Sequence, residues 1–183
     1  MATDALNRDI EQLVQALQVL ASDVQAAAQL SHMNDTQFTR RTYVRAAFAL
    51  FEGNINLMTE VILAAMDRQD IQALPLKTLE ILRQEEQKLD QNGLPIVHIK
   101  FRSFHKRIAP VFKSFSQLYG KSFQIDKSTA GWVDFKAAIE IRNRITHPKN
   151  AANFVITDCE LNTVQRAKQW FANSVEALLN ECD

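Results

Sequence analysis

Residues 44–65 read VRAAFALFEGNINLMTEVILAA, and this stretch decides the fold. Val44, Phe48, Phe51, Ile55, Met58, Ile62 and Ala65 recur at alternating steps of four and three, the rhythm of one helix face. Ala47, Leu50, Leu57, Val61 and Ala64 form a second apolar stripe beside the first. A helix apolar over that width is buried on most sides, so other helices must surround it. The spacing predicts this helix over about Thr36 to Arg68. Gly53 costs about 1 kcal/mol relative to Ala inside a helix, and its small size suits a close helix–helix approach.

Outward from that segment, helical spacing continues in both directions. Leu6, Ile10, Leu13, Leu17, Leu20 and Val24 predict a first helix from about Thr3 to Leu30, followed by a polar turn from Ser31 to Thr36. Pro75 suits the first turn of a third helix and Gly93 its C′ position, with Leu76, Leu79, Leu82 and Leu89 on one face. A fourth helix is expected after Pro95, carried by Phe101, Phe104, Ile108, Val111, Phe115 and Leu118. Gly120 stops it, and Pro110 kinks or splits it. Ser128 or Thr129 caps a fifth helix containing Trp132, Phe135, Ile139 and Ile141, and Pro148 ends it. Thr157 to Glu160 has the capping-box pattern, opening a last helix with Leu161, Val164, Ala167, Phe171, Val175 and Leu178 on its apolar face. No strand alternation or internal repeat is read. The expected architecture is all-α, an up-and-down bundle of five to six helices forming a single domain over residues 1–183.

Composition limits the function classes. The chain has 183 residues with 21 basic and 21 acidic side chains, so nucleic acid or an anionic membrane can be held only by local patches. Cys159 and Cys182 form neither a C-x-x-C pair nor a metal cluster, and free thiols in a cytoplasmic protein are the expectation. The start lacks the basic and apolar regions of a secretion signal. The longest apolar runs, Ala46–Phe51 and Val61–Met66, are six residues each, against the roughly 20 of a membrane span, so no membrane partner is expected. There is no glycine-rich phosphate loop and no nucleophile elbow. His98 and His105 would share a helix face, but they are too few for a zinc site and read as solvated or edge residues. No metal and no cofactor are expected.

One segment carries chemistry. Ile141-Arg142-Asn143-Arg144-Ile145-Thr146-His147-Pro148 closes an amphipathic helix with an arginine, four residues and a histidine. Histidine gives or takes protons near neutral pH, and arginine holds two phosphate oxygens at once. On an unbroken helix the two side chains would point about 140° apart, so the helix must end near His147 for them to converge. Pro148 supplies the reason for it to end there. The competing reading is that both cations serve the negative end of the helix dipole.

Arg142 to His147 resembles the Arg-x4–6-His motif, with Asn after the Arg, of the HEPN family (higher eukaryotes and prokaryotes nucleotide-binding). The helix order of most of the chain is similar to those helical bundles. The resemblance implies a metal-independent endoribonuclease, often a toxin or phage-defence effector, with Arg142, His147 and Asn143 catalytic. Such an enzyme uses the RNA 2′-OH as nucleophile, so one proton is removed and another delivered. One histidine cannot do both in a single step, which argues for a symmetric homodimer, and the resemblance points the same way. RNA, and an antitoxin or other protein, are the implied partners. The alternative is a non-catalytic helical module that binds a protein partner or a nucleotide.

Two further groups flank the motif. Arg41, Arg45, Glu52, Asn56 and Thr59 fall within roughly 60° on the central helix, a polar stripe on an apolar rod. The stripe is either an exposed seam or a support for the motif. In the latter case Glu52 orients His147 or Arg142, and Arg41, Arg45, Arg144 and Lys149 support or bind RNA. Lys100, Arg102, Lys106, Arg107 and Lys113 read as a phosphate-binding face or a solvated one, interleaved with phenylalanines at core spacing.

Overall fold

A computed structural model describes residues 4–182. The protein is an all-α helical bundle, 72% helical, with six helices and one two-stranded sheet among the described residues. The helices are α1 (Asp4–Met33), α2 (Gln37–Asp67), α3 (Leu76–Leu82), α4 (Phe104–Gln117), α5 (Ala130–Thr146) and α6 (Asp158–Cys182). Strands β1 (Glu85–Leu89) and β2 (Pro95–Ile99) lie between α3 and α4. The expected start of α1 at Thr3 lies outside the described residues.

The apolar girth of α2 places it at the centre. Val44, Ala47, Phe51, Ile55, Ile62 and Ala65 on it have no exposed surface. It packs against α1, α4, α5 and α6. By length and composition α2 could cross a membrane, and half of its most apolar window is buried inside the bundle. Its start is secured by a capping box, in which Thr36 Oγ1 accepts the Thr39 N–H and Thr39 Oγ1 accepts the Thr36 N–H. Phe51, Phe135 and Phe171, from α2, α5 and α6, meet with ring centroids 4.8–5.8 Å apart, in the range of favourable offset and tilted pairs. Thr157 and Glu160 form the second capping box, at the start of α6.

The region between Pro75 and Phe104 departs from expectation. A long third helix is replaced by the seven-residue α3, which stops at Arg83, and Gln84 then takes a positive φ of 54°. An antiparallel hairpin follows, with Glu85 opposite Ile99 and Leu89 opposite Pro95. Gly93 is not a helix C′ residue. It sits in the hairpin turn with φ 79°, which glycine adopts at little cost. Asp90 Oδ1 holds that turn by accepting the Asn92 and Leu94 N–H groups. Asn-Gly is the strongest local signal for a hairpin, and here it outweighs the helix propensity of Glu85 to Lys88. Phe101, expected in the core, is exposed, and His98 is on a strand instead of sharing a helix face with His105. The fourth helix starts later, at Phe104, and runs through Pro110 without splitting. Proline withdraws the N–H that would bond the Lys106 carbonyl, and Lys106 is an exposed residue.

Two glycines mark close helix contacts. A Cβ at Gly53 would meet Leu20 Cδ1 at 2.5 Å, the tip of a flexible side chain. A Cβ at Gly131 would meet three Trp170 atoms at 2.4–2.7 Å, including its Cβ. Alanine gains about 1 kcal/mol of helix propensity at either site, whereas overpacking a rigid contact costs about 1–3 kcal/mol. Gly131→Ala is therefore expected to lower stability by about 1–2 kcal/mol in urea denaturation, while Gly53→Ala stays within about 1 kcal/mol of the parent. Equal effects at the two sites would contradict this packing.

Candidate functional site

The motif closes α5. Thr129 caps the start of the helix, its Oγ1 accepting the Trp132 N–H at 3.4 Å, and Trp132, Phe135 and Ala138 anchor it in the core. At the other end the last helical residue is Thr146, whose hydroxyl donates to the Arg142 carbonyl at 2.8 Å. His147 is the C-cap, with φ −123° and ψ 62°, and its N–H donates to the Asn143 carbonyl at 2.9 Å. That backbone lies outside the α region, as expected of a residue before proline.

Arg142 leaves the helix sideways toward α2. Its guanidinium forms an ion pair with Glu52, donates from Nη1 to Asn143 Oδ1 at 3.0 Å, and lies over the Phe48 ring with 5.3 Å to the centroid. Burial lowers the Arg142 pKa from its ordinary value. The Glu52 carboxylate in contact opposes that shift and keeps the group charged. Arg142, Asn143 and Glu52 are thus brought together, with Phe48 as a floor that sequence reading did not single out. Glu52 reaches Arg142 and not His147. Among the described residues neither the Arg142 nor the His147 side chain bonds a carbonyl at the helix end.

The His147 imidazole is exposed and makes no hydrogen bond or ion pair within the described residues. The ammonium of Lys149 and the guanidinium of Arg45 are exposed and unpaired among the described residues as well. Arg45 sits on the α2 stripe between Arg41 and Glu52.

Arg41 and Arg144 serve the chain itself. Arg144 donates from Nη1 to the carbonyls of Asn153 and Val155 at 2.9 and 2.8 Å, and from Nη2 to Glu160 Oε1 at 2.6 Å. Arg41 donates to the Phe154 carbonyl at 3.1 Å and lies over the Phe154 ring. Gln37 bonds both the N–H and the C=O of Ile156, at 2.7 and 3.0 Å. Arg40 donates to the Ile156 carbonyl at 2.9 Å and bridges Asp35 and Asp158. Asn150 opens a 3₁₀ turn at Ala151–Phe154, and Asn153 Oδ1 accepts the Lys149 N–H at 2.8 Å. The segment after Pro148 is therefore clamped from α2, α5 and α6. Gln37, Arg40 and Asp158 leave no local pattern in the sequence, because Gln37 and Arg40 bond the Ile156 backbone and Arg40 pairs with Asp158, both more than one hundred residues along the chain.

The rest of the stripe faces elsewhere. Asn56 Oδ1 accepts from Arg107 Nη2 at 2.9 Å, and Thr59 donates to the Ile55 carbonyl at 2.6 Å. The basic run from Lys100 to Lys113 is not one face. Lys100 pairs with Glu86, Arg102 lies 4.0 Å from Glu80, and Arg107 is buried, which leaves Lys106 and Lys113 exposed. Arg107 lines an open cavity of about 570 Å³, where Arg83 and Arg107 are balanced by Glu60 and Glu85. His105 packs edge-on to Trp132, and its pKa is lowered by burial and by the nearby Lys106, Lys136 and Lys127.

No protein-family model, no curated protein and no solved structure matches this chain.

The clamp makes a direct prediction. Arg144→Ala removes three charge-assisted hydrogen bonds to a partly exposed cluster, and it should cost about 2 kcal/mol of stability in urea denaturation. It should also speed hydrogen exchange at the Val155 and Thr157 amides while leaving the centre of α2 protected. Unchanged stability would show that the clamp is not formed in solution.

Proposed function

We propose that this chain is a metal-independent endoribonuclease that works as a homodimer in the cytoplasm. The observation that carries this reading is the exposed, unpaired imidazole of His147, placed at the break of α5. It stands five residues after an arginine held by Glu52 and Asn143. Transesterification of RNA requires a fixed cation for the phosphate charge and a free proton carrier, and the motif offers one of each.

In the proposed reaction His147 of one copy takes the proton from the 2′-OH. The 2′-oxygen attacks phosphorus, and the bond from phosphorus to the 5′-oxygen breaks. The second copy's His147 gives that oxygen a proton, leaving a 2′,3′-cyclic phosphate and a 5′-OH. Arg142 stabilises the charge on the phosphate oxygens, with Asn143 and Glu52 fixing its geometry. Lys149 and Arg45, which have no side-chain partner among the described residues, supply further phosphate contacts. Arg41 and Arg144 are left out of the RNA contacts because both are spent on the clamp. A second reading is favoured by one observation: Glu52 already compensates the Arg142 charge. On that reading the domain is a non-catalytic module that binds a protein partner or a nucleotide.

Purified protein incubated with total RNA in EDTA decides between the two. The enzyme reading expects cleavage with cyclic phosphate ends, a loss of about a hundredfold or more in His147→Ala, and unchanged folding of that variant. A substrate with one 2′-deoxy nucleotide at the cut site should resist cleavage there, because the nucleophile is missing. Cleavage that stops on chelation and returns with Mg²⁺, or equal cutting of DNA, would sink it.

A further inference from the structure

The β-hairpin has α3 beside its first strand and an open edge on its second. Lys100 N–H donates to the Gln84 carbonyl at 2.7 Å, and Asp90 N–H donates to the Leu94 carbonyl at 2.8 Å. These bonds set the phase of the ladder. Glu86–His98 and Lys88–Ile96 are its hydrogen-bonded pairs, whereas Glu85–Ile99, Gln87–Val97 and Leu89–Pro95 turn their backbone groups away from the partner strand. On β1 one outward donor is taken, since Gln87 N–H donates to Glu80 Oε1 of α3 at 3.2 Å, and α3 packs along that strand. On β2 the N–H and C=O of Val97 and Ile99 and the C=O of Pro95 face outward with no hydrogen bond among the described residues. Proline fits there because an edge strand can dispense with one donor.

The side chains divide the same way. One face carries Glu86, which pairs with Lys88 and Lys100. The other face presents Leu89 at 71%, Val97 at 59% and Ile99 at 75% exposure, and Phe101 just past the strand is 83% exposed. A two-stranded hairpin is marginal in water without a third strand or a packed face, and a bare apolar edge strand invites pairing.

We propose that the open edge of β2 is a self-association surface, where two copies of this chain pair β2 with β2, antiparallel, about a two-fold axis through Val97. In that register the two Val97 residues exchange both of their backbone bonds. Each Ile99 N–H donates to the other copy's Pro95 carbonyl, so four new bonds form a four-stranded sheet. The missing proline donor leaves only one carbonyl per copy unpaired, at the end of the pairing. β2 carries no Asp, Glu, Lys or Arg, so the approach brings no charges into opposition. Leu89, Val97 and Ile99 from both copies then share one face. An uncharged edge whose donors and acceptors match their own two-fold images gives a closed, isologous contact, the commonest assembly of identical chains.

Analytical ultracentrifugation without RNA tests this, and the edge variants separate this interface from one that would bring two His147 side chains together. The parent should self-associate reversibly. Val97→Lys sets two ammonium groups opposite each other, and Ile99→Pro deletes two of the four bonds without touching the hairpin ladder. Each should weaken association by about tenfold or more while circular dichroism stays unchanged. In a Cys159→Ser/Cys182→Ser background, Val97→Cys should form a disulfide-linked dimer on oxidation, since residues paired this way lie about 5.5 Å apart at Cα. A parent that stays monomeric up to its solubility limit, or a dimer that neither variant weakens, overturns the proposal.

Discussion

The apolar girth of α2 is the constraint on which the rest depends. A rod that cannot face water on most of its sides must be wrapped, and α1, α4, α5 and α6 do the wrapping. Every polar group on such a helix then needs a designated partner, because an unpaired polar group in the interior costs several kcal/mol at most and about 1–3 kcal/mol in proteins. Glu52 finds Arg142, Asn56 finds Arg107, Thr59 turns back to Ile55, and Gln37 and Arg41 reach the chain after Pro148. Asn54 Oδ1 is the exception on α2, buried with no partner among the described residues. Through these few polar contacts the core helix sets where the motif at the end of α5 sits.

The arginines around the motif divide according to what each of them touches. Arg40, Arg41 and Arg144 bind backbone carbonyls and carboxylates of this chain, and so convert the segment from Lys149 to Thr157 from a loop into a braced edge. Arg142 is braced as well, but against one carboxylate and one amide beside a site that stays open. Arg45, His147 and Lys149 are left free among the described residues. Guanidinium groups suit bracing because one planar fork can satisfy two or three acceptors at fixed angles, which the ammonium of Lys149 cannot match.

Much of this was legible in the residue pattern. The helices α1, α2, α5 and α6 follow from apolar spacing, because their buried faces are long enough to average out exceptions. Their ends follow from Thr36, Thr129, Pro148 and the Thr157–Glu160 box, whose capping chemistry is local. The hairpin is masked in the sequence because Glu85 to Lys88 are good helix formers and Leu89 completes an apolar stripe with helical spacing. The Asn92-Gly93 turn was the available signal against it. Phe101 was assigned to the core for the same reason, since periodicity records spacing and not which side is covered.

The motif and the polar stripe on α2 could be found in the sequence, and so could the end of the helix at His147. The sequence by itself determined the central buried helix, the helix caps and the break before Pro148, because each depends on residues a few positions apart. Only the tertiary structure decided that Glu52 meets Arg142, that Arg41 and Arg144 are consumed by the segment around Phe154, and that β2 keeps an open edge. Those outcomes depend on groups far apart in sequence, about one hundred residues in the case of Arg41 and Phe154. Their meeting is set by how the helices pack around α2, and no local pattern encodes it.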